Sequence, residues 1–273
     1  MSGFTAMVTY SLKQVRPLKP PIKSKFFAHI EQEQAQRPWG SFLDAGSGLH
    51  SLGWVSRLET DRWTAVTGAP RDADQMRQAT NHIRRPQDQI LLGNWAKADL
   101  LKGEVYDTVL ADYLLGAVEG FAPYFQPYLF ARLRPLTGKV LYITGAEPYV
   151  PENEPSTRAG RIVWQIGRFR DACLLLSGEL PYREYPSAWV VDQLSRSGFK
   201  PRAVKRFATT YKKRFVQTQI DLSIEALKRV QDQYTAKALT KWGETLRAEA
   251  SDLIASEGGL AHGADYVIAA DPV

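Results

Sequence analysis

Short apolar runs recur along the first half of this chain, and segments with a three-or-four apolar spacing lie between them. Residues 26–36 read as a short helix stopped by Pro38-Trp39-Gly40, and 39–43 as a first strand. After a glycine turn, 49–58 reads as a helix with Leu52, Val55 and Leu58 along one side. Residues 63–67 give a second strand, 72–79 a helix, 89–92 a weak third strand and 105–111 a fourth. Residues 118–133 supply a crossover helix that Pro123 and Pro127 should distort or split. The turn Leu136-Thr137-Gly138 leads into 139–144, the clearest strand of the chain. Strands alternating with helical crossovers predict a parallel α/β sheet.

The second half is more helical. Residues 158–180 place Ile162, Ile166, Phe169, Cys173 and Leu176 at helical spacing. Residues 187–197 form another helix ended by Gly198, and 204–216 contain a β-prone run. A long amphipathic segment spans 219–256, with Gly243 expected to weaken or kink it. Its stripe fits packing across the sheet or over a site. Residues 265–270 close the chain as an apolar strand, expected to be inserted between others.

Composition changes this picture little. With 273 residues and 44% hydrophobic content, the chain builds one sizeable core, or one core with a small addition. The charge of +6 is mild; a solvated basic surface accounts for it, with an acidic partner or RNA as the other option. Cys173 stands alone within an apolar run, as a buried small hydrophobe would. The four histidines make no metal-ligand spacing, so no metal site is expected. No signal peptide and no membrane-spanning stretch is read, which makes a cytoplasmic location the expectation. Residues 1–24, with Lys13, Arg16, Lys19 and Lys23 among prolines, read as an arm or a lid. The expected division is 1–38 as arm and cap helix, and 39–273 as the main domain with a helical substrate-side insertion near 146–185.

Candidate chemistry gathers after the strands. Asp44-Ala45-Gly46-Ser47-Gly48 follows the apolar pair Phe42-Leu43: a strand ends in a carboxylate and turns on glycines. Either it is only a tight turn, or it lets a ligand approach the backbone closely. It lacks the Gly-Lys-Ser/Thr of a phosphate loop, and the third glycine of a dinucleotide fingerprint falls at Ser51.

With these residues, the chain resembles a class I S-adenosylmethionine-dependent methyltransferase over about 39–216 and the last strand. The resemblance implies a Rossmann-like, mostly parallel seven-stranded sheet flanked by helices, with helical insertions, and S-adenosylmethionine as cofactor. It implies that Asp44, Gly46, Ser47 and Gly48 hold the methionyl end. It puts Thr67 and Gly68 where a ribose-binding carboxylate usually stands, with Asp72 slightly late. It gives Asn94 the adenine amino group and places Trp95 beside the ring. Asp112 and Tyr113 fall between cofactor and methyl acceptor, where a helix cap and a core aromatic are the alternatives.

No catalytic residue is assigned, because an activated methyl group needs in-line approach and a dry pocket more than an acid–base array. His50 and His262 are read as packing or exposed groups. Trp164 and Arg168 share a helix face that either recognises an aromatic or anionic molecule or serves structure alone. Asp112-Tyr113-Leu114-Leu115 lacks the Pro-Pro-aromatic pattern of base-modifying enzymes. The basic run at Lys205, Arg206, Lys212, Lys213 and Arg214 comes with no recognised RNA-binding module. The expectation is methyl transfer to nitrogen or oxygen of a small molecule, by a monomer or homodimer. An RNA or protein methyltransferase and a non-enzymatic scaffold are the rivals.

Overall fold

A computed structural model describes residues 24–273. The arm expected over 1–24 therefore lies outside the described residues apart from Ser24. The elements run α1 (Lys25–Gln34), β1 (Ser41–Asp44), α2 (Leu49–Val55), β2 (Arg62–Thr67), α3 (Pro70–Thr80), β3 (Gln89–Leu92), β4 (Tyr106–Asp112) and α4 (Leu114–Ala117). They continue with α5 (Gln126–Leu133), β5 (Thr137–Ala146), α6 (Arg158–Leu176), α7 (Ser187–Arg196), β6 (Phe199–Tyr211), α8 (Lys213–Leu227), α9 (Gln233–Glu257) and β7 (Leu260–Pro272).

Among the described residues the strands make one seven-stranded sheet, ordered β3-β2-β1-β4-β5-β7-β6. The first five are parallel, and β7 is antiparallel to both β5 and β6. The last strand is thus inserted, as its apolar run predicts: Tyr266 to Ala270 are all buried. The order reverses between β1 and β4, so the crevice of the open sheet falls at the carboxyl ends of these strands.

Alternation along the strands feeds two cores. Leu43, Val109, Ile143 and Ile268 face α5 and α7, meeting Leu129, Phe130, Leu133, Val190 and Leu194. Phe42, Leu110, Tyr142 and Val267 face the other way, toward α1, α2 and α3. There Phe27 stacks on Trp54 with ring centroids 4.4 Å apart. Each such buried side chain stabilises the fold by about 1.5–3 kcal/mol relative to exposure.

A third core joins α6, α8 and α9 through Ile162, Ile166, Phe169, Ile220 and Leu246. This helical cap grows from two places in the sequence. One part follows β5; the other is the α8–α9 excursion between β6 and β7. The segment near 146–185 contains α6, and α8 and α9 lie outside it.

The helix read over 118–133 does split, as its prolines predict: α4 runs on into a short 3-10 turn, and α5 starts only at Gln126, with Pro127 in its first turn where its missing N–H is harmless. Other element readings need correction. The strand read over 204–216 is β6, and it ends at Tyr211, where α8 takes over. Exposed polar residues alternate along β6, which hid its start.

The segment 219–256 is two helices, broken between Leu227 and Gln233. Asp232 caps α9 by accepting from the Tyr234 and Thr235 amides. Gly243 does not kink it; α9 is continuous there, and a Cβ at Gly243 would stand 2.6 Å from Phe169 Cζ. Close approach of α6, rather than backbone freedom, explains this glycine.

Candidate functional site

Every turn around the crevice is tied to a neighbouring strand. The Ala45 amide donates to the Leu110 carbonyl at 2.8 Å, and the Ser47 amide to the Val66 carbonyl at 2.8 Å. The Gly93 amide donates to the Thr67 carbonyl at 2.9 Å. The Trp95 indole N–H donates to the Ala45 carbonyl at 2.7 Å. Turns after β1, β2 and β3 thus form one rigid rim.

Inside this rim lies a cavity of about 690 Å³, measured to its open mouth. Gly46, Ser47, Thr67, Gly68, Asn94 and Trp95 line it. Asp44, Gly48, Asp112 and Tyr113 stand outside the lining.

Asp44 lies beneath the turn and is fully buried. Its Oδ2 accepts from the Ser47 hydroxyl at 2.6 Å, while Oδ1 has no hydrogen-bond partner. Burial pushes its carboxyl up to about 7, against the pull of the Ser47 hydroxyl. An unpartnered buried oxygen is costly and calls for a donor. Gly48 begins α2, and a Cβ there would meet nothing within 4 Å. Gly46, which lines the cavity, differs: a Cβ would stand 2.9 Å from Leu114 Cβ, so the close approach of α4 also requires a glycine here.

On the opposite wall, Thr67 Oγ1 accepts from the Ala69 amide at 3.3 Å. Asp72, one turn into α3, lines the cavity with an exposed carboxylate. The Asn94 side chain is partly engaged. Its Oδ1 accepts from the Ala96 amide at 3.0 Å, and its Nδ2 donates to the Phe121 carbonyl at 2.6 Å. One lone pair of Oδ1 is left to face a ligand. The Phe121 ring closes this side; a Cβ on Gly68 would stand 2.6 Å from it.

Asp112 and Tyr113 make their contacts along the sheet's strand ends, Tyr113 with its ring 6.3 Å from that of Phe26 of α1. Asp112 Oδ1 accepts from the Thr144 hydroxyl, and burial raises its carboxyl pKa. Tyr113 adopts a left-handed backbone conformation at φ 50°. Its hydroxyl donates to Asp265 Oδ1 at 2.9 Å, and burial together with Asp265 holds the phenol protonated. Such backbone strain is concentrated at functional positions. Trp164 and Arg168 do share a face, with the guanidinium 4.5 Å from the ring centroid. The Trp164 N–H donates to the Pro151 carbonyl at 2.8 Å, away from the cavity.

Leu114, Val118, Phe121 and Tyr182 also line the cavity, and none of them stands out in the sequence as a site residue. Tyr182 lies in the irregular segment between α6 and α7, where no periodicity marks it. Among the described residues no histidine, cysteine or carboxylate cluster is placed to hold a metal ion. No described helix is long and apolar enough to cross a membrane.

No family model matches the sequence, and no curated protein matches it. Solved structures do. A Bacillus halodurans C-125 protein, provisionally assigned as a methyltransferase, superposes with a TM-score of 0.57 at 12% identity, covering 90% of this chain and 98% of that one. A Lactobacillus casei protein resembling cyclopropane-fatty-acyl-phospholipid synthase gives 0.55 at 9% identity, over 89% and 88%. The mycolic acid cyclopropane synthase CmaA1, solved with SAH and CTAB, gives 0.52 at 16% identity, over 90% and 83%. The shared architecture is the Rossmann-like methyltransferase fold.

Proposed function

We propose that this protein transfers a methyl group from S-adenosylmethionine to a nitrogen or oxygen of a small molecule. The observation that carries this reading is the cavity at the strand ends, whose rim is built from the turns after β1, β2 and β3. A fold shared with methyl-transferring proteins supports it.

The residues fit the cofactor. Asp44 offers an unpartnered buried carboxylate oxygen beneath the turn, suited to the positive methionyl end. Gly48 leaves open space above it, and Ser47 faces the cavity. Asp72 is the carboxylate nearest in role to a ribose partner, with Thr67 and Gly68 beside it. Asn94 keeps one acceptor lone pair for an adenine amino group, and Trp95 and Phe121 supply apolar walls. When bound, the cofactor supplies a sulfonium methyl activated for transfer. This chain's part is to orient, exclude water and hold the acceptor.

Asp112 and Tyr113 serve this reading as supports of the acceptor side, outside the cofactor lining. Residues 39–273 are read as the catalytic unit, with the α6 and α8–α9 cap as its acceptor side and α1 packed behind the sheet. The setting is cytoplasmic.

The test is transfer of labelled methyl from S-adenosylmethionine to a panel of small amines, alcohols and phenols, with RNA and protein arms. Label in a small molecule supports the proposal. Label confined to RNA or protein, or none in any arm, overturns it.

A further inference from the structure

Tyr182 belongs to two spaces. It lines the strand-end cavity together with Asn94, Trp95 and Phe121. It also lines a groove of about 1050 Å³ between α6, α8 and the turn after α4. The groove leaves the ring open space on its far side, so Tyr182 is not wedged in place. The side chain is 53% exposed, and Phe121, lining the same cavity, is 43% exposed. A single exposed aromatic is ordinary, but two at the rim of one cavity mark a surface with a contact still to make.

Tyr182 sits on the strap 177–186, which joins α6 to α7. Both ends of the strap are tied. The Glu179 amide donates to the Leu174 carbonyl at 2.9 Å. At the other end, Ser187 donates to Glu147 through its hydroxyl at 2.5 Å and its amide at 3.2 Å. The middle differs. Among the described residues, no amide from Leu180 to Tyr185 donates to a backbone carbonyl. A segment held in this way moves without breaking a backbone ladder, and its local opening costs little.

The strap crosses α4 on two glycines. A Cβ on Gly116 would stand 3.3 Å from the Arg183 carbonyl oxygen and 3.2 Å from Glu184 Oε2. A Cβ on Gly120, in the 3-10 turn that continues α4, would stand 3.3 Å from Tyr182 Cε1. The two missing side chains leave a smooth track under the strap. Leu114, Ala117 and Val118 of this same stretch line the cavity. The strap therefore rides on the cavity wall, with its aromatic at the rim.

We propose that the strap 177–186 closes the cofactor site: as the cofactor enters, the strap shifts along α4 and lays the Tyr182 ring on the adenosine. This rests on the reading of the cavity as the S-adenosylmethionine site. A ring stacked on a base holds it and keeps water from it, which are the two services the transfer asks of this chain. A strap that served only to connect α6 and α7 would leave ligand affinity indifferent to Tyr182.

The test is calorimetric titration of the full chain with S-adenosylhomocysteine and, separately, with adenosine. Beside it runs trypsin digestion, with the cut between Arg183 and Glu184 followed by mass spectrometry. The Arg183 side chain is exposed and open to the protease. Saturating S-adenosylhomocysteine should slow that cut at least about fivefold. Tyr182→Ala should bind S-adenosylhomocysteine about tenfold more weakly and lose most of the protection. Its melting temperature should stay within about 2 °C of the parent, because the ring is half exposed. Tyr182→Phe, which keeps the ring, should bind within about twofold of the parent. If S-adenosylhomocysteine binds the parent, an unslowed cut or an affinity unchanged in Tyr182→Ala overturns the strap and leaves the methyl-transfer reading standing. Adenosine that binds and protects the strap, where S-adenosylhomocysteine does not bind, overturns the methyl-transfer reading and leaves the closure over a nucleoside standing.

Discussion

The indole N–H of Trp95 donates to the carbonyl of Ala45 across 2.7 Å, joining the turn after β3 to the turn after β1. Trp95 is 4% exposed, so the bond is sheltered from water. Trp95→Phe keeps an aromatic wall but strands a buried carbonyl. It should cost about 1–3 kcal/mol in chemical denaturation, and weaken S-adenosylhomocysteine because the rim loosens.

Asp44 makes the cofactor site pH-dependent. Its carboxyl is pushed up to about 7 by burial, far above its unfolded value, so the folded protein holds the extra proton. Stability from this group is greatest at low pH and falls as pH rises from near 4 through about 7. Asp44→Asn should therefore stabilise the free protein by about 1–3 kcal/mol at pH 8, and by less at pH 5. A ligand with a positive methionyl end needs the ionised form. Affinity in the parent should rise between pH 6 and 8, and the Asn variant should be weaker and flat across that range, as calorimetry at several pH values would reveal.

Asp72 separates binding from folding. Its side chain is exposed on the first turn of α3, facing the cavity. Asp72→Ala should leave the melting temperature within about 2 °C, and lower affinity for S-adenosylhomocysteine about tenfold if it meets the ribose hydroxyls. Unchanged affinity would move the ribose contact to Thr67 or the Gly68 backbone.

The cap depends on Gly243. Because a Cβ there would stand 2.6 Å from Phe169 Cζ, Gly243→Ala should overpack the α6–α9 contact and cost about 1–3 kcal/mol, despite alanine's better helix propensity. A stabilised variant in thermal denaturation would show that the helices tolerate a wider spacing.

Much of the sheet was legible because its signals are local. Phe42-Leu43-Asp44 and Val140 to Thr144 are apolar runs bounded by glycine turns, and the inserted last strand announced itself as Val267-Ile268-Ala269-Ala270. The candidate turns were legible for the same reason. The break at Asp232 was also written locally, as an N-cap followed by Thr235, but the amphipathic stripe ran past it and won the reading. Phe121, Tyr182 and Glu184 were not legible. Their places depend on irregular chain crossing α4 and on close approach to Gly68, Gly120 and Gly116, which only tertiary packing sets. Gly46 was legible as a turn glycine lining the cavity, but the close approach of Leu114 that also requires it was not. An arginine there would disturb packing as well as any ligand.

Calorimetric titration of the intact, folded protein with S-adenosylhomocysteine at pH 8 tests the central claim most directly. The account predicts saturable binding of one ligand per chain, weakened by Asp72→Ala without loss of fold. No binding to a sample shown folded by circular dichroism would contradict it.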